Sequence, residues 1–316
     1  MTVLPIILGA LAALTLILSA VCYKIVCYSG KKQRQASAAL PTGRQYDAQA
    51  DLFERLIREM EAIDCEHVRI KSYDGTTLAA RYYHTADGAP LQIQFHGYRG
   101  GPLRDFCGGC KLALRLGHNV LLVEQRGHGG SGDHSITFGI RERHDCLAWA
   151  NYAAERFGLS TKILLVGISM GGATVLMAGD LPLPKQVVGI LADCPFSAPE
   201  RIIRTVCRAI KLPDGLLWPF IRLGARIYGG FDLAGHSALQ SIRSTTLPVQ
   251  IIHGEEDLFV PCEMSRELAA AAGGPCTLDT FPGAGHGICY LVDAPRYEAI
   301  VQRFCTELGL ETLPLG

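Results

Sequence analysis

The stretch Lys162-Ile-Leu-Leu-Val-Gly167-Ile-Ser169-Met-Gly171-Gly172 decides the fold of this chain. An apolar run ends abruptly in Gly-x-Ser-x-Gly, and Ala173–Ala178 continues with the composition of a buried helix. A strand, a tight turn and a helix in this order form the context in which the motif makes a nucleophile elbow. The turn holds the serine hydroxyl above the carboxyl ends of the sheet, so the pattern predicts that Ser169 is a nucleophile.

The sequence around this elbow predicts an α/β fold. Asp74-Gly75 between two alternating runs indicates an antiparallel hairpin over residues 68–83. Short apolar runs then alternate with helical patterns, which favours a mostly parallel sheet with helices on both faces. The predicted strands are Leu91–Phe95, Asn119–Glu124, Lys162–Gly167, Val187–Asp193, Pro248–His253 and Thr277–Phe281. The predicted helices include 51–60, 141–157, 265–272 and 294–308.

Residues 195–247 interrupt this alternation and predict a small helical cap over the carboxyl edge of the sheet. The segment is locally basic, and we expect its charges to lie on a solvated helix face. A second hypothesis places these basic amphipathic helices on anionic lipid. The basic residues are Arg201, Arg204, Arg208, Lys211, Arg222, Arg226 and Arg243, and the acidic ones are Glu200, Asp214 and Asp232.

The amino-terminal run Val3–Cys22 is almost entirely apolar. Twenty helical residues span about 30 Å, the thickness of a hydrocarbon core. We therefore predict a transmembrane anchor with its flank in residues 1–28, a linker in 29–49 and a hydrolase-type domain in 50–316. A cleaved signal peptide is the alternative, although such peptides carry positive charge ahead of the apolar run.

The basic residues that follow the apolar run predict the orientation of the anchor. Lys24, Lys31, Lys32 and Arg34 all lie on its carboxyl side. By the positive-inside rule, the rest of the chain faces the cytoplasm. We expect a single-pass protein of the cell membrane.

Composition narrows the function further. Formal net charge is zero, so no global charge favours nucleic acid as a partner. The twelve cysteines show no repeated spacing and suit a reducing compartment better than a disulfide framework. Cys107 and Cys110 form the one C-x-x-C, without a second pair to complete a zinc site. No metal or cofactor is expected, and a redox role for this pair is the weaker alternative.

Two later segments supply what a nucleophilic serine requires, a base and a group that orients the base. Asp257 lies in the turn after Pro248–His253, and His286 lies between two glycines after Thr277–Phe281. We predict that His286 is the general base and that Asp257 holds its tautomer. Asp193 is the alternative acid, although a structural role at the entry to the cap is favoured.

The remaining histidines are expected to be structural because none follows the turn that carries the acid. They include His96, His128, His236 and His253. Acyl transfer also needs hydrogen-bond donors for the oxyanion. The predicted donors are the backbone N–H of Met170, which follows the nucleophile, and that of Tyr98, in the loop after Leu91–Phe95. The glycine-rich turn 126–131 lacks a phosphate-binding pattern and is expected to border the site.

Taken together, these motifs resemble the α/β-hydrolase superfamily, and in particular its membrane-anchored, serine-aminopeptidase-like or Bem46-like branch. The motifs are His96-Gly97-Tyr98, Gln125–Ser131, Gly167-x-Ser169-x-Gly171, Asp257 and Gly285-His286-Gly287. Glu124 departs from the aspartate that many relatives have before the Arg-Gly turn. The resemblance covers about residue 68 to the carboxyl terminus, but the superfamily hosts esterases, lipases, thioesterases and peptidases, so it does not choose among them.

The sequence thus predicts a membrane-anchored serine hydrolase that cleaves an ester or thioester of a small-molecule or lipid-like acyl substrate. A serine peptidase or aminopeptidase is the first alternative, disfavoured by the basic cap. A non-catalytic binding scaffold is the second, disfavoured by the complete set of catalytic groups. Substrate-binding residues remain unassigned at this stage.

Overall fold

A computed structural model describes residues 3–30, residue 43 and residues 45–311 of the chain. Its centre is an eight-stranded sheet of order β1-β2-β4-β3-β5-β6-β7-β8, in which β2 runs antiparallel to both of its neighbours and all other neighbouring strands are parallel. The strands are β1 Glu66–Lys71, β2 Thr77–Tyr83, β3 Leu91–Phe95, β4 Asn119–Glu124, β5 Ile163–Ile168, β6 Val187–Asp193, β7 Val249–Gly254 and β8 Cys276–Phe281. The predicted fold class, a mostly parallel sheet opened by an antiparallel hairpin, is confirmed.

Helices cover both faces of this sheet. They are α1 Val3–Val26, α2 Ala50–Glu61, α3 Pro102–Arg115, α4 Glu142–Phe157, α5 Met170–Ala178, α6 Pro199–Ala209, α7 Asp214–Gly224, α8 Ala238–Ser241, α9 Glu263–Ala271, α10 Cys289–Val292 and α11 Ala294–Glu307. A 3₁₀ turn, Asp47–Gln49, precedes α2, and a π-helical turn, Ala225–Gly229, continues α7. Most predicted elements lie within two residues of the observed bounds.

Successive buried side chains of a strand point alternately into two apolar clusters, one on each face of the sheet. In β5, Ile163 and Leu165 point into the cluster that contains Trp149 of α4, whereas Leu164 and Val166 point into the other. Because both faces are covered, all five residues of β3 are buried. A central strand buried on both faces is a rigid support for the loops at its carboxyl end.

The elements between β6 and β7 occupy the region predicted as a cap. They comprise α6, α7, the π-helical turn and α8. Most arginines of this region are ion-paired rather than free. Arg204 pairs with Asp214 at 2.8 Å, Arg222 pairs with Asp232 at 2.8 Å, and Arg201 pairs with Glu267 of α9.

Helix α1 continues beyond the predicted Cys22 to Val26, and its second half packs on the cap. Its first twelve residues, Val3–Leu14, are all exposed. From Thr15 onward one face is covered, and Ser19 is fully buried. A Cβ atom on Gly224 of α7 would lie 2.2 Å from the carbonyl oxygen of Ser19, so a glycine is required at this crossing.

Among the described residues, α1 is the one helix long and apolar enough to cross a membrane, with a mean hydropathy of 2.5. The predicted linker falls mostly on residues 31–42 and 44, outside the described residues, as do Lys31, Lys32 and Arg34. Residues 27–30, which follow α1, are hydrogen-bonded to the rest of the protein, since Ile136 donates its N–H to the Cys27 carbonyl at 2.7 Å. The end of α1 is therefore held directly against the rest of the chain.

Candidate active site

Ser169 occupies the sharp turn between β5 and α5. Its backbone adopts φ 56° and ψ −116°, which is a strained conformation for any residue other than glycine. The turn needs glycine on both sides. A Cβ on Gly167 would lie 2.2 Å from the backbone of Gly171, and one on Gly171 would lie 1.8 Å from the carbonyl oxygen of Phe95. The Ser169 N–H donates to the Asp193 carbonyl at 2.8 Å, which fastens the elbow to β6.

The structure brings Ser169, His286 and Asp257 together although they are far apart in the sequence. Nε2 of His286 lies 2.9 Å from Oγ of Ser169, and its Nδ1 lies 2.6 Å from Oδ2 of Asp257. Ser169 follows β5, Asp257 lies in the loop after β7, and His286 lies in the loop after β8. This relay of hydroxyl, imidazole and carboxylate is the arrangement that general-base activation of a serine requires.

Asp257 is held on both sides of its carboxylate. Its Oδ1 accepts the backbone N–H groups of Phe259 and Val260 at 2.8 Å each. Burial alone raises the pKa of this carboxyl, but the charge and hydrogen bonds of His286 and His253 outweigh burial and hold the pKa well below its ordinary value. Asp257 is therefore ionised, as a group that stabilises an imidazolium must be.

The pKa of His286 shifts in the opposite direction. Burial lowers it, but the adjacent charge of Asp257 and the hydrogen bond to it more than compensate, so the pKa lies above the ordinary histidine value. A raised pKa strengthens His286 as a base toward the serine hydroxyl. The ring of Phe259, centred 5.7 Å away, packs edge-on against the imidazole.

The predicted oxyanion donors lie on either side of the serine. Met170 begins α5, and its N–H has no partner within the part of the chain that the structure describes, nor has the N–H of Tyr98. The loop of Tyr98 runs close to the nucleophile, because a Cβ on Gly97 would lie 3.3 Å from Cβ of Ser169. The two amides are thus free to bind a developing oxyanion.

Asp105 of α3 positions this loop, a role that the sequence did not reveal. Its Oδ2 accepts the Gly97 N–H at 2.7 Å, and its Oδ1 receives Nε of Arg104 at 2.6 Å. Burial raises the pKa of Asp105, but the charge of Arg104 outweighs burial and keeps it below the ordinary value. The carboxylate orients the loop while Arg104 balances the negative charge so close to the oxyanion position.

Two of the competing histidines hold turns. His96 donates from Nδ1 to the Gly97 carbonyl at 2.8 Å, and its Nε2 accepts the Gln125 N–H at 3.1 Å. Burial lowers the pKa of His96, which keeps the ring neutral as these bonds require. His128 accepts the Arg99 N–H at Nε2, at 3.0 Å. Both rings join the oxyanion loop to the glycine-rich turn.

The other two histidines also have structural partners. His253 lies behind the acid turn, where its Nε2 donates to the Val260 carbonyl at 2.8 Å. His236 lies 2.9 Å from Asp180, at the end of α5 distant from the serine. Neither approaches the serine hydroxyl.

The glycine-rich turn encloses a buried arginine rather than a phosphate site. Arg126 makes two bonds of 2.6 Å to Asp145 and one of 2.9 Å to Asp74. Glu124, the residue that departs from the family pattern, accepts the backbone N–H of Gly130. These acidic partners, together with Asp133 at 3.2 Å and Glu124, therefore stabilise the turn that borders the site.

Asp193, the alternative acid, lies behind the elbow and bonds to the Tyr297 hydroxyl. Burial raises its pKa to about 6, and its Oδ1 has no hydrogen-bond partner among the described groups. The shortest carboxylate contact of the His286 ring is with Asp257, at 2.6 Å. The geometry favours Asp257 as the orienting acid.

The cysteines offer little metal chemistry. Sγ of Cys194 lies within 4.8 Å of ligand atoms of Asp257 and His286, but burial keeps its thiol pKa far above the ordinary value, and the other two groups bond to each other. Cys107 and Cys110 are buried, free thiols inside α3, and burial raises the pKa of Cys107 to about 12. Thiols that stay protonated are poor metal ligands.

Two neighbours of the site come from the amino-terminal region and were not predicted. Oε1 of Gln45 accepts the backbone N–H of His286 at 3.0 Å. The hydroxyl of Tyr98 donates to the carbonyl of Val26, the last residue of α1, at 2.7 Å. No local pattern in the sequence signals either contact, because each joins segments more than 70 residues apart.

Comparisons with known proteins agree on the family. The family model described as the Alpha/beta hydrolase family matches residues 95–300. The chain is 27% identical over 202 residues to an uncharacterized protein of Bacillus subtilis, YqkD, covering 64% of this chain and 66% of that protein. It is 30% identical over 128 residues to acyl-protein thioesterase 1 of Gibberella zeae, covering 40% and 41% of the two chains.

A solved structure shares the fold over most of the chain. The Pyrococcus furiosus esterase Pf2001 superposes with a TM-score of 0.62 at 21% identity, covering 85% of this chain and 97% of that one. At this level of identity the likeness concerns the fold alone.

Proposed function

The chain belongs to the Alpha/beta hydrolase family, and we propose that it is a membrane-anchored serine hydrolase that cleaves an ester or thioester through an acyl-enzyme on Ser169. The observation that carries the proposal is the continuous relay from Asp257 through His286 to the Ser169 hydroxyl, with contacts of 2.6 and 2.9 Å. The N–H groups of Met170, which follows Ser169, and of Tyr98, which follows Gly97, have no partner among the described residues and are available as oxyanion donors.

The proposed reaction follows from these positions. Nε2 of His286 takes the hydroxyl proton as Ser169 Oγ attacks the acyl carbon, and the carbonyl electrons move to an oxyanion bound by Tyr98 and Met170. The imidazolium then gives the proton to the leaving alcohol or thiol. A water, deprotonated by the same nitrogen, releases the acid and restores the serine. Asp257 stays ionised throughout and keeps the Nδ1 proton in place.

Ester or thioester cleavage is favoured over peptide cleavage by two considerations. The relatives with a named activity are a thioesterase and an esterase. An aminopeptidase needs a free acidic group to bind the substrate amine, and the cap acids Glu200, Asp214 and Asp232 are each ion-paired with arginine. The Bem46-like branch stays a prediction.

The test of the chemistry is Ser169→Ala in the purified full-length chain. We expect a loss of kcat on p-nitrophenyl butyrate of about 10³-fold or more, together with loss of fluorophosphonate labelling. Ser197→Ala is the matched control, because this serine is also buried and its hydroxyl has no hydrogen-bond partner among the described residues. Undiminished turnover by the Ser169 variant, or equal loss in both, contradicts the assignment.

The same preparation distinguishes the alternatives. Esters of graded chain length, their thioester analogues and aminoacyl p-nitroanilides are compared by kcat/KM. A preference for the anilides would replace the esterase proposal with a peptidase. A wild-type chain that binds no fluorophosphonate and turns over none of these substrates would favour a binding scaffold.

Retention of the apolar helix is the second part of the proposal. The burial of Ser19 supports an uncleaved anchor, because a signal peptidase cut near Cys22 would remove this residue and most of the packed half of the helix. We expect the intact mass of the mature protein to include residues before Cys22, and the protein to stay with membranes after a high-salt wash. A mature chain beginning near Cys22 would identify a signal peptide instead.

The proposed orientation is cytoplasmic, and its basis is the charge that follows α1. It is tested by adding protease to intact cells and to inverted membrane vesicles. We expect cleavage of the domain in the vesicles alone. Cleavage in intact cells would place the domain on the opposite side.

A further inference from the structure

The length of α1 sets how deeply the protein sits in a bilayer. Its 24 residues rise about 36 Å, and a hydrocarbon core is about 30 Å thick. The fully exposed part, Val3–Leu14, accounts for only about 18 Å of that thickness. A spanning α1 therefore brings about 12 Å of its packed half, and whatever is packed on it, within the depth of the hydrocarbon core.

The cap elements that touch this half of α1 are α7 and the π-helical turn. Gly224 meets α1 at Ser19, which is about 24 Å along the axis from Val3. The hydroxyl of Tyr228 donates to the carbonyl of Leu16 at 3.0 Å, at a level of about 20 Å. Both levels lie inside a core of about 30 Å counted from Val3. The opposite face of α1 at these levels is still apolar and uncovered, with Ile17 60% exposed.

The surface of the cap suits this depth. Six large apolar side chains, which we call the cap collar, stand exposed on α7, on the π-helical turn and at the end of α6: Val206, Ile210, Leu212, Leu216, Ile227 and Tyr228. Leu216, the most exposed, has 65% of its surface uncovered. A contiguous apolar region rimmed by polar groups marks a membrane or protein contact.

Most arginines next to the cap collar are ion-paired, which favours an apolar contact over an electrostatic one, whereas Arg208 and Lys211 make no ion pair with the described residues. Arg222 and Arg226 share Asp232, and Arg204 is bonded to Asp214. Arginines neutralised in this way attract anionic headgroups less than the free charges that the sequence alone suggested. Their long stems can still reach the headgroup level while the neighbouring apolar side chains enter the acyl region.

The active site lies beside the same end of α1. The carbonyls of Ile25 and Val26 accept bonds from the side chains of Arg99 and Tyr98, at 2.6 and 2.7 Å. Tyr98 also supplies a proposed oxyanion donor, and a Cβ on the preceding residue, Gly97, would lie 3.3 Å from Cβ of Ser169. In the turn that carries Asp257, Leu258 is 68% exposed and precedes Phe259, whose ring packs against the His286 imidazole.

We propose that the cap collar is immersed in the bilayer and that the active site takes its acyl substrate directly from the membrane. The substrate class is a bilayer-resident ester or thioester with a long acyl chain, rather than a freely soluble ester. This inference rests on the anchoring and on the Ser169 chemistry proposed above. It adds a fixed docking surface and a route by which a long acyl chain reaches the serine without crossing water.

Immersion is tested by quenching of tryptophan fluorescence by phosphatidylcholine with brominated acyl chains. The full-length chain, reconstituted into vesicles, carries Leu216→Trp, and the added signal is taken as the difference from the parent chain. Leu159→Trp is the matched control, because Leu159 is 91% exposed in the turn before β5, at the opposite edge of the sheet. We expect at least a twofold quenching of the added signal at position 216 and none at 159.

The lipid dependence separates the two kinds of contact. We expect the same quenching in pure phosphatidylcholine as in mixtures with phosphatidylglycerol. Quenching that appears only with the anionic lipid would overturn the apolar contact in favour of headgroup binding. Absence of quenching at 216 in a chain that resists salt extraction would overturn immersion itself while leaving the anchor intact.

The substrate route is tested with Leu216→Asp. We expect about a tenfold loss of activity on a long-chain ester embedded in vesicles, with activity on soluble p-nitrophenyl butyrate unchanged. Leu159→Asp should change neither rate. Equal rates for Leu216→Asp and the parent on the embedded ester would refute the route. A parent chain inactive on both esters would instead refute the proposed hydrolase, so the two failures are distinguishable.

Discussion

Replacing Asp257 by asparagine separates the proposed triad from its alternative. The carboxylate now accepts two turn amides on Oδ1 and the Nδ1 proton of His286 on Oδ2. Asparagine keeps one oxygen for the Phe259 and Val260 amides, so the turn survives. Its NH₂ group faces Nδ1, however, and obliges that nitrogen to accept. The imidazole then carries its proton on Nε2, where it can no longer take the proton of Ser169.

Two causes would lower the kcat of Asp257→Asn by different amounts. Loss of one hydrogen bond to a charged group costs about 1.5–3 kcal/mol, or roughly 10- to 100-fold in rate. Fixing the wrong tautomer in a Ser-His-Asp relay costs about 10⁴-fold in kcat, or about 5.4 kcal/mol. Because the 2.6 Å contact makes Asp257 the group that sets the tautomer, we expect the larger value. The variant should still bind substrate with a KM close to that of the parent.

The assay is steady-state hydrolysis of p-nitrophenyl butyrate by the purified full-length chain, with thermal unfolding measured in parallel. Asp193→Asn is the control, since it also removes one buried carboxylate and can keep the bond to Tyr297. We expect its kcat to stay within about threefold of the parent, with any effect appearing in the unfolding temperature. A loss below tenfold for Asp257→Asn, or an inactive Asp193→Asn that melts normally, would refute the reasoning.

Three further outcomes follow from the geometry. Neutral His286 is the active form and the pKa of His286 is raised, so kcat/KM should rise with pH, with a midpoint above the ordinary histidine pKa. A pH–rate profile with its midpoint at or below the ordinary histidine pKa contradicts the role of Asp257. Gly171→Ala should destabilise the fold by about 3 kcal/mol or more, seen as a lower melting temperature, because its Cβ would lie 1.8 Å from a backbone oxygen. Tyr98→Phe should lower the free energy of unfolding by about 1 kcal/mol, because the hydrogen bond to Val26 is lost. The kcat on a soluble ester should stay within about threefold, because the backbone donor remains. A far larger loss of kcat would show that α1 shapes the oxyanion loop.

The strands were predictable because each is a short apolar run with clear boundaries. Three of them, Leu91–Phe95, Asn119–Glu124 and Val187–Asp193, have the predicted bounds. The order of the strands could not be read in the same way. Strand β3 lies between β4 and β5, and this arrangement is set by how the crossover helices pack rather than by any local pattern.

Some residues of the candidate site could likewise be predicted from the sequence, and others could not. Ser169, Asp257 and His286 follow strand ends that converge, so their proximity could be predicted from chain order and turn chemistry. Asp105 and Gln45 could not, since a carboxylate inside a helix and an amide within the predicted linker carry no local mark of the loops that they bind.

The docking of α1 is the largest difference from the prediction. An apolar run predicts that a helix lies in an apolar environment, but it does not show whether that environment is lipid or protein. The small residues Thr15 and Ser19, spaced four apart, are the only hint of a packed face, and a bare count of hydropathy overlooks them. The prediction of an anchor joined to the domain by a linker therefore missed the contact between α1 and the cap.

The strained backbone of Ser169 has an evolutionary consequence. A non-glycine residue at φ 56° and ψ −116° costs on the order of 1–3 kcal/mol, and glycine at this position would recover most of that at an entropic cost of about 0.5–1 kcal/mol. Thermodynamics alone thus pulls position 169 toward glycine, the residue that ends catalysis. A duplicated copy released from selection for turnover would gain stability by the very substitution that silences it.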